Sequence, residues 1–260
     1  MRAEVIAHDL QRRVTSIVVA GASLAVLAMF GLSIYGSFAD QAASLVDSFP
    51  EALRALYGAD LDVPGGIFTA EYLNLIAPFV VIGVAVGFGA RTIAGEEREG
   101  TLSLLLTSPI SRTQVLLSKA VVLVANVVGV SALTWAGLLG SGLVTDVDLP
   151  PGDVLAATVH LVALGLAIGM WALGLSAATG RQGVAVGVPV GVSVGSWLGV
   201  SLLPLVDVTG PVQLLPWHYY NGSEPILNGV DVGHVLVLLG LAAVGLALGV
   251  WGLEHRDLKG

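Results

Sequence analysis

Charged side chains that could bind another protein are concentrated in segment 91–119, between two hydrophobic stretches of a very apolar chain. The segment contains Arg91, Glu96, Glu97, Arg98, Glu99, Arg112 and Lys119. Charges at this density can form ion pairs with a partner but are too costly to place in lipid. We therefore expect the segment to lie in water or against a soluble partner, which makes it the first place to look for function.

The chain lacks the residue patterns of the common catalytic and metal sites. A P-loop requires Gly-Lys followed by Ser or Thr, whereas the two lysines occur in Ser118-Lys119-Ala120 and Leu258-Lys259-Gly260. There is no His-Glu-x-x-His, no Gly-x-Ser-x-Gly and no cysteine, and the five histidines show no metal-ligand spacing. The sequence therefore predicts no catalytic residues, no metal ligands and no enzyme activity of its own.

Composition is typical of a polytopic membrane protein. Of the 260 residues 55% are hydrophobic and 12% are charged, whereas an ordinary soluble domain has about 25% charged residues. Six stretches reach the roughly 20 helical residues that cross a bilayer, namely 14–38, 72–90, 120–144, 154–179, 184–206 and 232–253. Because a lipid-exposed backbone must satisfy its own hydrogen bonds, the predicted fold is all-α, with six transmembrane helices in a single transmembrane domain, 1–260.

Basic residues determine the predicted orientation. With a cytoplasmic N-terminus, ten of the eleven Lys and Arg residues fall in inner segments and Arg54 falls in an outer loop. The positive-inside rule therefore predicts a multi-pass cell-membrane protein with both termini in the cytoplasm. Most Asp and Glu residues are then outside, so the net charge of −8 belongs mainly to the outer surface and argues against a nucleic-acid partner.

Ionisable residues are scarce within the six predicted spans. These spans contain no Asp, Glu, Lys or Arg, and proton- or cation-coupled secondary transporters usually need such charges. We interpret His160, in the fourth span, as a hydrogen-bonded helix-packing residue. Trp217, Tyr219 and Tyr220 are expected to form an interfacial aromatic belt at the outer membrane surface.

The fifth span has a glycine at every fourth position. The residues are Gly183, Gly187, Gly191, Gly195 and Gly199. Small residues at this spacing let a second helix approach closely, so the stripe predicts tight helix packing.

Two further helices are predicted outside the spans. Residues 1–11 alternate apolar and charged residues at helical spacing, as in an amphipathic helix on the inner membrane surface. In the outer loop, 39–71, Ser48 and Glu51 have the spacing of a capping box and Gly58 is placed to end the helix that it starts.

The inner segment predicts a short helix of its own. Residues 95–107 have charge on the first turn and leucines after it, and Pro109 would end the helix. Ser111 and Gln114 then have the spacing of a capping box at the start of the third span. A short helix across the inner face, joined stiffly to two spans, could transmit a push from a soluble partner into the membrane.

In this segment the chain resembles the ABC-2 (exporter-type) ABC transporter permeases. Their inner loop reads Glu-x-x-x-Gly-Thr-Leu, a leucine-rich turn, Pro-x-Ser-Arg and a Lys at the next span. The corresponding residues here are Glu96, Gly100, Thr101, Leu102, Leu104, Leu105, Leu106, Pro109, Ser111, Arg112 and Lys119. The six-span plan and the ending Arg256-Asp257-Leu258 are also similar to this family.

The resemblance implies the transmembrane subunit of an ATP-driven exporter. Such a subunit would work as a dimer with itself or a second permease, with ATP and Mg²⁺ bound by a separate soluble ATPase subunit and no cofactor in this chain. The implied coupling residues are Glu96, Glu99, Gly100, Thr101, Leu102, Pro109, Ser111 and Arg112. A non-transporting membrane scaffold or assembly protein remains the alternative, and a secondary transporter is a more distant one. Nothing in the spans identifies a substrate.

Overall fold

The computed structural model describes residues 2–47, 49–57, 65–100, 111–145 and 147–256. Side chains are described for the same residues except 2–10, 12, 36–47, 56, 57 and 67. These ranges consist of helices and short connections, with no strand among them. The all-α prediction is confirmed.

Within the described ranges, six helices are long and apolar enough to cross a membrane. We call them spans 1 to 6, and they are Arg13–Tyr35, Phe68–Arg98, Arg112–Ser141, Pro151–Thr179, Gln182–Val206 and Val232–His255. Each overlaps one of the six stretches predicted from hydropathy. The shorter helices outside them are Glu51–Tyr57, Pro216–Asn221 and Pro225–Asn228, with a 3-10 turn at Gly210–Leu214.

Span 1 is the middle of one long helix, Arg2–Asp47. At about 1.5 Å per residue, this helix exceeds the thickness of the hydrocarbon core at both ends. The backbone runs from Arg2 into the span without a break, so a separate amphipathic helix at residues 1–11 is not confirmed. In the outer loop, by contrast, the predicted short helix is present as Glu51–Tyr57, and the proposed cap residue Ser48 lies outside the described residues.

Span 3 starts earlier than the hydropathy predicted but where the capping pattern placed it. Ser111 has an extended backbone, and its Oγ accepts a hydrogen bond from the backbone N–H of Gln114 at 3.2 Å. The helix therefore begins at Arg112, and Lys119 lies two turns inside it rather than before it.

Span 4 forms the centre of the bundle. In an apolar 18-residue stretch of this span 78% of the residues are buried, whereas the corresponding share in spans 1, 5 and 6 is between 17% and 28%. Its most extensive contacts are with span 6 on one side and span 2 on another, and span 1 packs on span 3. Spans 1, 5 and 6 consequently present long apolar faces to the outside of the chain, as expected of helices next to lipid or another membrane subunit.

Spans 4 and 6 cross at very short distance. A Cβ built on Gly174 would overlap the carbonyl oxygen of Gly245, and one on Gly249 would come within 2.9 Å of the Gly174 Cα. A Cβ on Gly252 would overlap Ala178. Glycine at these positions lets the two backbones touch, which is the packing that small residues provide inside membranes.

The glycine stripe predicted in span 5 is not part of this crossing. Its first four members, Gly183, Gly187, Gly191 and Gly195, have open space where a Cβ would stand, and among the described residues no neighbour comes within 4 Å of that position. Gly199 differs, since a Cβ there would come within 2.6 Å of Leu215. The stripe therefore packs against its own chain only at Gly199. The buried face of span 5 is formed instead by Ala185, Pro189, Ser193 and Ser196.

Candidate coupling site

Span 2 ends in a separate short helix, Ala94–Arg98, which we call the inner helix. Glu99 and Gly100 form the turn that ends it, with Gly100 at φ +72°, a left-handed conformation that glycine adopts without steric cost. The N–H of Gly100 donates to the Glu97 carbonyl at 3.1 Å. The predicted helix over 95–107 is therefore not continuous, because this turn ends it after Arg98, and residues 101–107 lie outside the described residues.

A hydroxyl from span 4 separates the inner helix from the rest of span 2. Ser176 Oγ donates to the carbonyl of Ala90 and accepts from the N–H of Ala94, both at 2.9 Å. In a regular helix these two backbone groups would bond to each other, so the hydroxyl is inserted into the ladder and causes the break at Ile93. Ser176 is fully buried. It thus fixes the angle at which the inner helix leaves span 2.

Two adjacent glutamates tie the inner helix to two other spans. Glu96 Oε1 lies 2.6 Å from Lys119 Nζ of span 3, and the Lys119 side chain is only 3% exposed. Glu97 accepts hydrogen bonds from both terminal nitrogens of Arg256, at 2.6 Å and 3.3 Å. Arg256 lies just after span 6. This two-pronged geometry is the strong form of a carboxylate–guanidinium pair.

Arg112 completes the connection between spans 3 and 6. Its Nη1 donates to the carbonyls of Leu253 and Arg256, at 3.0 Å and 2.9 Å. A cation at the end of a helix is placed to satisfy unpaired carbonyls and to interact favourably with the helix dipole. Next to it, Thr113 Oγ1 donates to Glu254 Oε1 at 2.5 Å. We call the set Glu96, Glu97, Arg112, Lys119 and Arg256 the inner charge cluster.

The structure brings only part of the implied coupling set together. Glu96, Arg112 and the capping Ser111 are engaged with spans 3 and 6, and Glu99 and Gly100 are exposed in the turn that follows the inner helix. Thr101, Leu102 and Pro109 lie outside the described residues. The pairing of Glu97 with Arg256 was not predicted from the sequence. Both are charged residues beside a span, but their separation of 159 positions gave no local signal.

At the opposite end of the bundle, aromatic residues fill the core. Trp217 and Tyr220 are each 1% exposed, so the interfacial belt predicted for them is wrong. Pro216 and Pro225 start two short helices that fold back into the bundle, and their first-turn prolines suit that position. Burial raises the pKa of the Tyr220 phenol, so its hydroxyl remains a hydrogen-bond donor. We call residues 216–228 the outer hairpin.

His160 holds this hairpin from span 4. Its Nδ1 lies 3.2 Å and 3.1 Å from the carbonyls of Tyr219 and Tyr220, and its Nε2 accepts from the N–H of Asp231 at 3.1 Å. Carbonyls require a donor and an N–H requires an acceptor, so the network assigns a neutral ring protonated on Nδ1. The prediction of a hydrogen-bonded packing residue is confirmed. In the described part of the chain, no group of three or more His, Cys, Asp or Glu residues is placed to hold a metal ion.

Acidification is expected to loosen the outer hairpin through His218. Burial and then the neighbouring His234, whose ring centre is 5.3 Å away, lower the pKa of His218. As the pH falls below about 6.5, the unfolded chain therefore binds more protons than the folded chain does. The free energy of unfolding decreases in that pH range. The backbone N–H of His234 is the main cause that lowers the pKa of Asp231, so the stabilisation from Asp231 is lost only at lower pH, near and below its ordinary value.

We expect the thermal unfolding midpoint to fall by on the order of 2 °C between pH 7 and pH 5.5, and less in His218→Asn. The measurement is thermal unfolding of the purified protein at constant ionic strength. His255→Asn, at the exposed inner end of span 6, is the control and should behave like the wild type. Equal pH dependence in His218→Asn and the wild type would rule out His218 as the cause.

Comparison with known proteins agrees with the architecture. Residues 3–258 match the family described as ABC-2 family transporter protein. The chain is also 30% identical over 211 residues to the "Probable ABC transporter permease protein NosY" of Stutzerimonas stutzeri, covering 71% of this chain and 68% of that relative. With the family match across nearly the whole chain and six helices able to span a membrane, this protein belongs to the ABC-2 family of transporters, as a transmembrane permease subunit.

Proposed function

We propose that this permease is driven by a separate soluble ABC ATPase that docks on the inner segment and that it exports its substrate from the cytoplasm. The observation that carries the proposal is the inner charge cluster, which links the inner helix to spans 3 and 6. A displacement of that helix by a bound partner would act on three spans at once. In this proposal the basic inner side is cytoplasmic and contains both termini, and ATP and Mg²⁺ are bound in the partner.

The exposed turn after the inner helix is the proposed contact with the ATPase. Arg98, Glu99 and Gly100 are exposed there, whereas Glu96 and Glu97 face the bundle. Glu96 and Arg112 then act by transmitting movement, and Glu99 by meeting the partner. The proposed site continues through Thr101, Leu102 and Pro109.

A second permease copy or a related subunit is the proposed partner within the membrane. The glycine positions 183, 187, 191 and 195 of span 5 face out of the chain with open space around them. A helix of the second subunit could approach closely there, as small-residue stripes allow. The sequence-based prediction of tight packing then applies between subunits and stays a prediction.

Charge reversal at the exposed turn tests the docking proposal. Glu99→Lys should reduce capture of a co-expressed soluble P-loop ATPase by about fivefold or more, because it reverses the charge at the contact. Asp148→Lys is the matched control, since it makes the same charge change on an exposed residue at the other end of the bundle. Capture is measured by co-purification at equal permease levels. Equal capture by both variants would reject Glu99 as a docking residue, and an absence of any ATPase with the wild type would favour the membrane-scaffold alternative.

A further inference from the structure

Span 2 contains a π-turn, Tyr72–Ile76, between the α-helical segments Gly66–Glu71 and Ala77–Thr92. The N–H of Ala77 donates to the carbonyl of Tyr72, five residues earlier. In this register the carbonyl of Leu73 should receive the N–H of residue 78, but residue 78 is a proline and has none. The Leu73 carbonyl is instead bound by the buried hydroxyl of Tyr220, from the outer hairpin.

The same five residues can adopt a second hydrogen-bond register. In an α-helical register the Ala77 N–H would donate to Leu73, and the proline would leave the Asn74 carbonyl without a donor. Either register therefore has one unpaired carbonyl, which costs free energy when buried. The Tyr220 hydroxyl donates to the Leu73 carbonyl, which is the unpaired carbonyl of the π register. This hydrogen bond therefore favours the π-turn over the α-helix.

Other contacts of the outer hairpin converge on the same place. Trp217 Nε1 donates to Asn74 Oδ1 within the π-turn at 3.3 Å, and the Trp217 N–H donates to Ser196 Oγ of span 5 at 2.8 Å. The Phe79 ring of span 2 lies 5.1 Å from the Trp217 ring. The hairpin thus connects spans 2, 4 and 5 at the outer end, where a transporter must open to release its substrate.

We propose that the outer hairpin is a latch that closes the outer end of the bundle and that Tyr220 couples this latch to the register of span 2. With the latch closed, Tyr220 binds Leu73 and span 2 holds its π-turn. When the latch opens, the Ala77 N–H takes the Leu73 carbonyl and the turn becomes α-helical. The opening step rests on the proposed function, whereas the coupling between hairpin and register can be tested in the permease alone.

The first test compares two neighbouring tyrosines by hydrogen exchange of the full-length permease in lipid nanodiscs. Tyr220→Phe removes the hydroxyl that binds Leu73. Tyr219→Phe removes a hydroxyl that donates to the carbonyl of Gln213 at 2.7 Å, in the 3-10 turn just before the hairpin. In Tyr220→Phe neither register satisfies every backbone carbonyl, so the segment should open more often. We therefore expect this variant to speed exchange of the amides of residues 72–77 and 216–231 by roughly tenfold or more, and Tyr219→Phe to leave 72–77 unchanged. Equal effects of the two variants, or faster exchange of the hairpin without that of 72–77, would overturn the coupling.

A second variant tests the same coupling if Tyr220→Phe fails to fold. Pro78→Ala supplies the missing N–H, so the α register gains a donor for Asn74 while every residue of the hairpin is kept. We expect faster exchange of the hairpin amides, with residues 163–173 at the centre of span 4 still protected. Unchanged protection of the hairpin in Pro78→Ala would contradict the register coupling.

The last comparison separates the latch from the proposed function. With the ATPase bound and ATP added, exchange should rise at residues 72–77 and 216–231 relative to the nucleotide-free complex. If ATP changes exchange at the inner helix but not at these residues, the hairpin does not move during the ATP-driven change. The latch proposal then fails, whereas the proposed coupling to the ATPase stands. If no ATPase binds, the proposed function fails, and the Tyr220→Phe and Pro78→Ala results still decide the coupling.

Discussion

Glu96→Lys is expected to destabilise the folded permease by about 3 to 5 kcal/mol, the usual cost of breaking a buried ion pair by removing one partner. The variant would place a second ammonium beside Lys119, which is 3% exposed and 2.6 Å from the present carboxylate. The measurement is the amount of monodisperse protein recovered and its thermal unfolding midpoint. This variant therefore tests the fold before it can test docking.

A charge exchange separates the lost pair from other effects of the substitution. The double variant Glu96→Lys with Lys119→Glu restores opposite charges across the same gap, so it should recover a large part of the lost stability. Arg98→Glu reverses an exposed charge on the same helix and should change stability by no more than about 0.5 kcal/mol. If Glu96→Lys is as stable as Arg98→Glu, the pair between spans 2 and 3 contributes nothing to the fold.

Gly174→Leu is expected to disrupt the contact of spans 4 and 6, with a loss of about 3 kcal/mol or of the folded protein altogether. Even a Cβ at this position would overlap the backbone of Gly245, and backbone atoms cannot move aside as a side chain can. The measurement is again thermal unfolding of the purified protein.

Gly191→Leu is the matched control for this substitution. It adds the same side chain to a glycine of span 5 that has open space beside it. The variant should fold with wild-type stability and, if span 5 contacts a second subunit, should lower the dimer fraction seen by mass measurement in nanodiscs. A stability loss in Gly191→Leu as large as in Gly174→Leu would contradict the packing described here.

Sequence alone predicted the elements whose signals are local. Six long apolar stretches predicted the spans, and Ser111 with Gln114 predicted the start of span 3, because hydropathy and capping depend on neighbouring residues. The partners of charged residues could not be predicted in this way. Glu97 and Arg256 are joined only by the packing of spans 2, 4 and 6.

Patterns that two environments share could not be assigned from sequence. Glycines at four-residue spacing occur at Gly245 and Gly249 in span 6 as well as in span 5, and the stripe that packs within the chain is decided by the neighbouring helix. Likewise, Trp217 and Tyr220 in a proline-rich loop suit either a membrane interface or a buried core. Their hydrogen bonds to Asn74 and Leu73 depend on a π-turn that nothing in the local hydropathy indicated.

Site-specific cross-linking to the ATPase tests the central proposal most directly. The chain has no native cysteine, so Glu99→Cys and Asp148→Cys each provide one site for a short photoreactive thiol reagent. We predict that Glu99→Cys cross-links to the ATPase in intact membranes. Asp148→Cys should give no such product and should react with a membrane-impermeant reagent added from outside. A cross-link to the ATPase from position 148 but not from position 99, or from neither position when ATPase is present, would contradict ATP-driven transport through the inner segment.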